Sequence, residues 1–122
     1  MTKFQTHTTI ESETIHAIIV KHEKRTKGGP LEKQIERNVC DYAHEAGLLV
    51  YKFTSPARAA VPDRLFVTPK GTVFFVEFKR EGIKPTPQQA REHDRLRGHK
   101  VAVFVVDSVD AGRLVVNLMR EQ

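Results

Sequence analysis

The spacing of hydrophobic residues along the sequence predicts three helices and four strands. In the first helix, placed between Pro30 and Gly47, apolar residues recur every three or four positions, at Leu31, Ile35, Val39, Tyr42 and Ala46. Proline is favoured at the first position of a helix and glycine just after its end, so both boundaries have a local cause. The short apolar run 48–53 then predicts a strand, which ends before Pro56.

Two further apolar runs flank a short connection, residues 68–72, and predict a β-hairpin. Pro69 sets the φ angle of the first turn position, and Gly71 supplies the positive φ of the closing bulge in a three-residue hairpin loop. This turn pairs the first residue of the connection with the last, so Asp63 falls opposite Glu77 in the same antiparallel register. Both faces of the hairpin carry apolar residues, so we expect both faces to be covered.

The remaining pattern alternates helix, strand and helix. Thr86 suits the N-cap of a helix that ends at Gly98, with Gln89 at the position that closes a capping box. The apolar run 101–106 predicts a strand buried on both faces, and a last helix follows over residues 109–119. A strand, a helix and a second strand in this order predict parallel pairing. The sequence therefore indicates an α/β fold, with a mixed β-sheet and helices on both faces.

Composition and charge limit the class of protein. The 122 residues suffice for one domain, which we place at residues 30–122 after an extension, residues 1–29, that is either a helix and linker or a segment for oligomerisation or DNA contact. We expect no membrane span, no signal peptide and therefore a cytoplasmic protein. A single cysteine excludes an internal disulfide. The net charge of +5 and the pI of about 9.6 favour an anionic partner such as nucleic acid.

Two acids and a lysine are gathered at one end of the predicted hairpin. Asp63, Glu77 and Lys79 project from the same face, where opposed side chains lie about 5 Å apart at Cβ. Two carboxylates this close repel each other unless a cation or a proton lies between them. Carboxylates suit Mg²⁺ or Mn²⁺, and a lysine beside the metal could position or deprotonate a water, so the chemistry indicated is phosphodiester hydrolysis. The alternative is a turn aspartate and a surface ion pair.

Other polar residues border this predicted cleft. Glu32 and Glu36 lie on one flank of the first apolar stripe, so either could add a third carboxylate, although the first-turn position of Glu32 also suits the helix dipole. Lys52 alternates with apolar neighbours and faces either the cleft or solvent. The six histidines show no metal-ligand spacing, and among them only His93, four residues after Gln89, is worth following. No zincin, dinucleotide or P-loop motif is present, so we expect no cofactor other than a metal.

Together these residues resemble the PD-(D/E)xK nuclease superfamily and, within it, the virus-type replication-repair nuclease (VRR-NUC) family. The matching set spans about residues 31–110 and comprises Glu36, Lys52, Pro62-Asp63-Arg64, Glu77-Phe78-Lys79, Gln89, Gly98 and Asp107-Ser108. The resemblance implies a restriction-endonuclease-like core and DNA cleavage that depends on Mg²⁺ or Mn²⁺. It points to Asp63, Glu77 and Glu36 as metal ligands. It adds Lys79 as the catalytic lysine and Gln89 as a further active-site residue.

The resemblance also implies a substrate and an assembly. Small stand-alone members look like phage or prophage proteins, so we expect a homodimer that resolves four-way Holliday junctions in a bacterial or phage-infected cell. A flap or general DNA nuclease is the alternative, and a non-catalytic DNA-binding module is the alternative of another class. The family usually has glycine where this chain has Ala60, so we expect a changed backbone before Asp63. Seven basic residues are candidate DNA contacts, namely Lys52, Arg58, Arg64, Arg80, Lys84, Arg91 and Arg95.

Overall fold

The computed structural model describes residues 31–122 of the chain. Its elements in order are α1 (Glu32–Glu45), β1 (Leu49–Lys52), β2 (Arg64–Val67), β3 (Val73–Phe78), α2 (Pro87–Gly98), β4 (Ala102–Val106) and α3 (Val109–Arg120). This is the predicted order of helices and strands. The extension predicted for residues 1–29 lies outside the described residues, so its role stays a prediction. Across residues 31–122, no helix has the length and apolar character needed to cross a membrane.

The four strands form one mixed sheet in the order β1-β2-β3-β4. β1 pairs with β2 and β2 with β3 in antiparallel fashion, whereas β3 and β4 are parallel. The parallel pair arises because α2 carries the chain back along the sheet before β4 begins. Helices lie on both faces, with α1 and α3 on one side and α2 on the other, which confirms the predicted α/β class.

The hairpin connection has the predicted geometry. Gly71 has a φ of 88°, and the N–H of Thr68 donates to the carbonyl of Thr72 at 2.8 Å. Phe66 consequently pairs with Phe74, as the turn chemistry predicts. The position of every residue at the far end of β2 and β3 depends on this register, because a slip of one residue would turn each side chain to the opposite face.

The main hydrophobic core fills the space between the sheet and the pair α1 and α3. Phenylalanine rings dominate it, since the stacked rings of Phe66 and Phe74 lie 5.0 Å apart and Phe104 meets Phe74 edge-on at 5.9 Å. These side chains are fully buried. Because the alternate residues of the same strands point away from this core, the acidic side chains predicted to act together belong to the opposite face.

Helix α1 begins later than its apolar pattern predicts. Leu31 is the N-cap residue and 54% exposed, so it does not belong to the buried stripe. Ile35 and Val39 are buried as predicted. Ala43 is also buried, and Tyr42 is partly buried and packs against the core as predicted. The Tyr42 hydroxyl donates at 2.6 Å to an asparagine of α3. Proline at residue 30 precedes the described part of the chain.

The second face of the sheet is only partly covered. All of β4 is buried, but Leu49, Tyr51 and Val73 are 54%, 53% and 44% exposed. Leu49 and Tyr51 belong to β1, so the expectation that both faces of the hairpin are covered is wrong only at Val73, beside the turn. The reason for the partial cover is geometric. Within residues 31–122, α2 is the helix that covers this face, and it packs on β4. Its 12 residues span only about 18 Å, so it does not reach across to β1.

Gly112 allows the close approach of α3 to α1. A Cβ atom there would overlap Cγ2 of Val39 and lie 3.1 Å from Cγ1 of Val106. We expect Gly112→Ala to lower the free energy of unfolding by about 1–3 kcal/mol, because the helices must move apart. Urea unfolding measures this. Gly98→Ala is the control, since nothing lies within 4 Å of its added Cβ. Equal losses in the two variants would contradict a packing role.

Candidate active site

Asp63 and Glu77 meet where β2 begins and β3 ends. Asp63 directly precedes β2, and two backbone bonds hold it: Oδ2 accepts from the N–H of Phe78 at 2.8 Å, and its carbonyl accepts from the N–H of Phe53 at 2.8 Å. Glu77, the neighbour of Phe78 on β3, is only 2% exposed. The structure thus brings the two acids together, although the regular ladder already ends at Arg64.

Burial and neighbouring negative charges change the pKa of the Asp63 carboxyl group. Its pKa is raised to about 6, first because burial disfavours the charged form and also because Glu77 and Glu36 carry negative charge nearby. The bond from the N–H of Phe78 acts in the opposite direction but is outweighed. The site therefore favours a bound proton or a cation, and binding of a metal ion below about pH 6 would release that proton.

Three side chains surround the buried carboxylate of Glu77. Nε2 of Gln89 donates to Oε2 at 3.2 Å, and Nζ of Lys79 lies 3.7 Å from the same oxygen. Nε2 of His93 lies 3.7 Å from the other oxygen, Oε1. Lys79 projects from the same face of β3 as Glu77, because two residues separate them along the strand. The predicted acid, lysine and glutamine are therefore neighbours in space.

Gln89 performs two structural roles at once. Its Oε1 accepts from the N–H of Thr86 at 3.0 Å, while Oγ1 of Thr86 accepts from the N–H of Gln89 at 3.2 Å. This is the predicted capping box of α2. The contact with Glu77 does not compete with it, because an amide side chain has a separate acceptor and donor group. The cap consequently fixes the start of α2 relative to Glu77.

Glu36 reaches the same region from α1 but points to a different partner. Its Oε2 accepts from Nε of Arg64 at 2.6 Å. Glu36 and Asp63 line one depression of about 370 Å³, together with Lys52 and Arg58. Glu32, in the first turn, is exposed. The structure therefore places Glu36 beside Asp63, with one of its two carboxylate oxygens paired to Arg64.

The basic residues proposed as DNA contacts differ in their surroundings. Nη1 of Arg58 and Nε of Arg95 lie 3.6 Å and 3.7 Å from Oε1 of Glu92, so this acid connects the loop before β2 to α2. Glu92 is 9% exposed and was missed in the sequence. Helical spacing in the sequence indicates it, because Glu92 comes three residues after Gln89 and so lies on the face of α2 that carries His93. The remaining candidates are solvent-exposed, namely Lys52, Arg80, Lys84 and Arg91.

Comparison with known proteins identifies the relatives of this chain. No protein-family model matches the sequence. A phage protein named "Putative nuclease p44", from Acyrthosiphon pisum secondary endosymbiont phage 1, is 44% identical over 84 residues, which cover 69% of this chain and 90% of that protein. A solved structure described as a VRR_NUC domain superposes with a TM-score of 0.66 at 34% identity, over 70% of this chain and 94% of the other.

The chain belongs to the VRR-NUC family. This confirms the resemblance found in the sequence. The VRR-NUC chain is accordingly a nuclease, an endodeoxyribonuclease that hydrolyses phosphodiester bonds. Nucleases of this family generally depend on a divalent metal ion.

The acidic residues of this VRR-NUC chain fit such an ion. Oε1 of Glu77 is buried without a hydrogen-bond partner, and Asp63 carries a raised pKa, so both carboxylates would gain from a bound cation. Among residues 31–122, no three acidic, histidine or cysteine side chains are grouped as a metal site. Glu36 pairs with Arg64. Mg²⁺ needs only one or two carboxylates, because water and phosphate oxygens complete its shell.

Ala60 of the VRR-NUC chain keeps the backbone geometry that glycine would allow. Its φ is 67°, in the left-handed region, so the expectation of a changed backbone before Asp63 is wrong. An alanine there is disfavoured by roughly 1–2 kcal/mol. Three residues later, the side chain and the carbonyl of Asp63 accept hydrogen bonds from the N–H groups of Phe78 and Phe53.

Proposed function

We propose that this VRR-NUC chain cleaves branched DNA, with Asp63 and Glu77 holding a Mg²⁺ or Mn²⁺ ion and Lys79 as the catalytic lysine. The observation that carries this proposal is the close pair of carboxylates at the start of β2 and the end of β3, Glu77 buried and Asp63 half-buried, where burial and like charge raise the pKa of Asp63 to about 6. Such a pair lowers its electrostatic energy by sharing a divalent cation.

The metal ion, Lys79 and Gln89 have different roles in the proposed hydrolysis. Held by Asp63 and Glu77, a divalent ion would stabilise charge on the phosphate and lower the pKa of a bound water. Lys79 places its ammonium group 3.7 Å from Glu77, where it can orient the attacking water or offset charge that develops on the phosphate. Gln89 holds Glu77 through Oε2 from a capped helix, so the ligand is oriented before DNA arrives.

Branched DNA and a homodimer complete the proposal. A four-way junction has two equivalent strands to cut, and a two-fold dimer presents two equivalent active sites to them. The exposed apolar residues Leu49, Tyr51 and Val73 on the open face of the sheet offer a surface that a second copy could cover. We place the activity in the cytoplasm of a bacterial or phage-infected cell, where such DNA arises.

Cleavage of three DNA substrates tests this function. With Mg²⁺ or Mn²⁺, we expect paired, symmetric cuts in a four-way junction and at least about tenfold slower cutting of a 5′ flap or a plain duplex. Equal rates on all three would favour a general nuclease, and preference for the flap would favour a flap nuclease. Junction binding without any cutting would indicate that the chain is a non-catalytic DNA-binding module.

Sedimentation at micromolar concentration tests the assembly separately. The proposal expects a dimer of the 13.9 kDa chain. A monomer at these concentrations would contradict the symmetric mechanism, while leaving metal-dependent cleavage by one chain intact.

A further inference from the structure

A histidine lies against Glu77, beyond the residues so far given a role. His93 of α2 is 1% exposed, and its Nε2 lies 3.7 Å from Oε1 of Glu77. Both atoms are buried and make no hydrogen bond in this structure. A buried polar atom without a partner is unfavourable by about 1–3 kcal/mol. An apolar side chain at residue 93 would avoid the part of this cost that comes from Nε2 of the histidine. Packing alone therefore does not explain a histidine here.

The two oxygens of Glu77 have different neighbours. Oε2 contacts Gln89 and Lys79, whereas Oε1 faces His93. Gln89 and His93 are four residues apart, so one turn of α2 presents both side chains to the same carboxylate. The helix that carries them is fixed at its start by the capping box with Thr86 and along its length by the contact of Glu92 with the loop before β2. His93 is thus held on a rigid support.

We infer that His93 is a positioning residue for Glu77, whose Nε2–H donates to Oε1 and holds the carboxylate in its metal-binding orientation. The inference rests on the proposed function, because it concerns the ion that Asp63 and Glu77 would bind. A shift of less than 1 Å converts the present 3.7 Å separation into a hydrogen bond of about 2.9 Å. Each oxygen of Glu77 then accepts one hydrogen bond, Oε2 from Gln89 and Oε1 from His93, and retains a lone pair for the ion.

Metal binding by two His93 variants, measured without DNA, tests this role. His93→Leu removes the donor at similar volume, and His93→Gln retains an N–H near the position of Nε2. Because partners that orient metal ligands typically contribute 10–100-fold to affinity, we expect Mn²⁺ to bind about tenfold more weakly to His93→Leu, whereas His93→Gln recovers most of this loss. Isothermal titration calorimetry gives both affinities.

The control is the histidine at the end of the same helix. His99 is exposed and contacts the backbone carbonyl of Arg95, away from Glu77, so His99→Leu should bind Mn²⁺ as the unchanged protein does. Unchanged affinity in His93→Leu would overturn the inference. Equal losses in His93→Leu and His93→Gln would also overturn it, because they would show that only ring packing matters.

Nitrogen NMR of the unchanged protein provides a measurement that does not require a variant to fold. At a constant pH of about 8, Nε2 of His93 should carry hydrogen, and its ¹⁵N shift should move on addition of Mg²⁺ while that of His99 stays constant. An Nε2 without hydrogen, or an unmoved shift, would contradict the inference. Normal metal binding without DNA cleavage would instead contradict the proposed function and leave the role of His93 standing.

Discussion

Replacing Asp63 with asparagine is expected to lower DNA cleavage by about a thousandfold or more, because an amide is a far weaker ligand for Mg²⁺ or Mn²⁺ than a carboxylate. Asparagine is close to aspartate in shape, and its Oδ1 can still accept the bond from the N–H of Phe78. The loop before β2 should therefore keep its place. Single-turnover cleavage of a DNA junction at saturating metal measures the loss.

The same variant should be more stable than the unchanged protein when no metal is present. The pKa of Asp63 is about 6 in the folded state and about 4 in the unfolded state, so the folded protein loses stability as the pH rises from about 4 to about 6. The neutral amide of Asp63→Asn does not titrate, so the variant has no such loss. Urea unfolding curves should coincide near pH 4 and differ by on the order of 1 kcal/mol above pH 6, after allowance for partial exposure.

The control for both measurements is Asp94→Asn. Asp94 lies on α2, its side chain is 79% exposed, and it pairs with Arg97 of the next turn. We expect this variant to cleave DNA normally and to show no stability gain above pH 6. Full activity in Asp63→Asn would show that Asp63 is not a ligand of the metal ion. Lower stability of that variant at all pH values would show that the carboxylate is favourable in the folded protein.

Replacing Lys79 with alanine is expected to lower cleavage by about a hundredfold to a thousandfold, the usual effect of removing one group that stabilises transition-state charge. Binding of DNA in Ca²⁺ should change little, since Lys79 is only 13% exposed and lies against Glu77. Lys70→Ala, at the opposite end of the hairpin, is the matched control and should cleave normally.

Lys79→Arg separates the two roles open to this lysine. Arginine keeps the positive charge but does not release its proton at any working pH, so it can offset phosphate charge and cannot deprotonate a water. Recovery in Lys79→Arg would indicate charge stabilisation, and no recovery would indicate proton transfer or strict geometry. Cleavage by Lys79→Ala at the rate of the unchanged protein would exclude a catalytic role for this residue.

Local chemistry was sufficient to predict much of this fold and part of the site. Pro69 and Gly71 determine the hairpin turn, and the turn determines the register that brings Asp63 beside Glu77. Strand alternation then places Lys79 on the same face. Thr86 and Gln89 define the start of α2 through hydrogen bonds between neighbours in sequence. Each of these features depends on residues within a few positions of one another, which a pattern in the sequence records directly.

Contacts between distant elements were decided only by tertiary structure. The approach of His93 to Glu77 depends on how α2 lies across the sheet. The pairing of Glu36 with Arg64 depends on how α1 packs on the sheet. Ala60 has a left-handed backbone that its own side chain disfavours. The sequence by itself determined which residues could act. The packing of helices on the sheet decided their partners, since those distances arise between elements far apart in the chain.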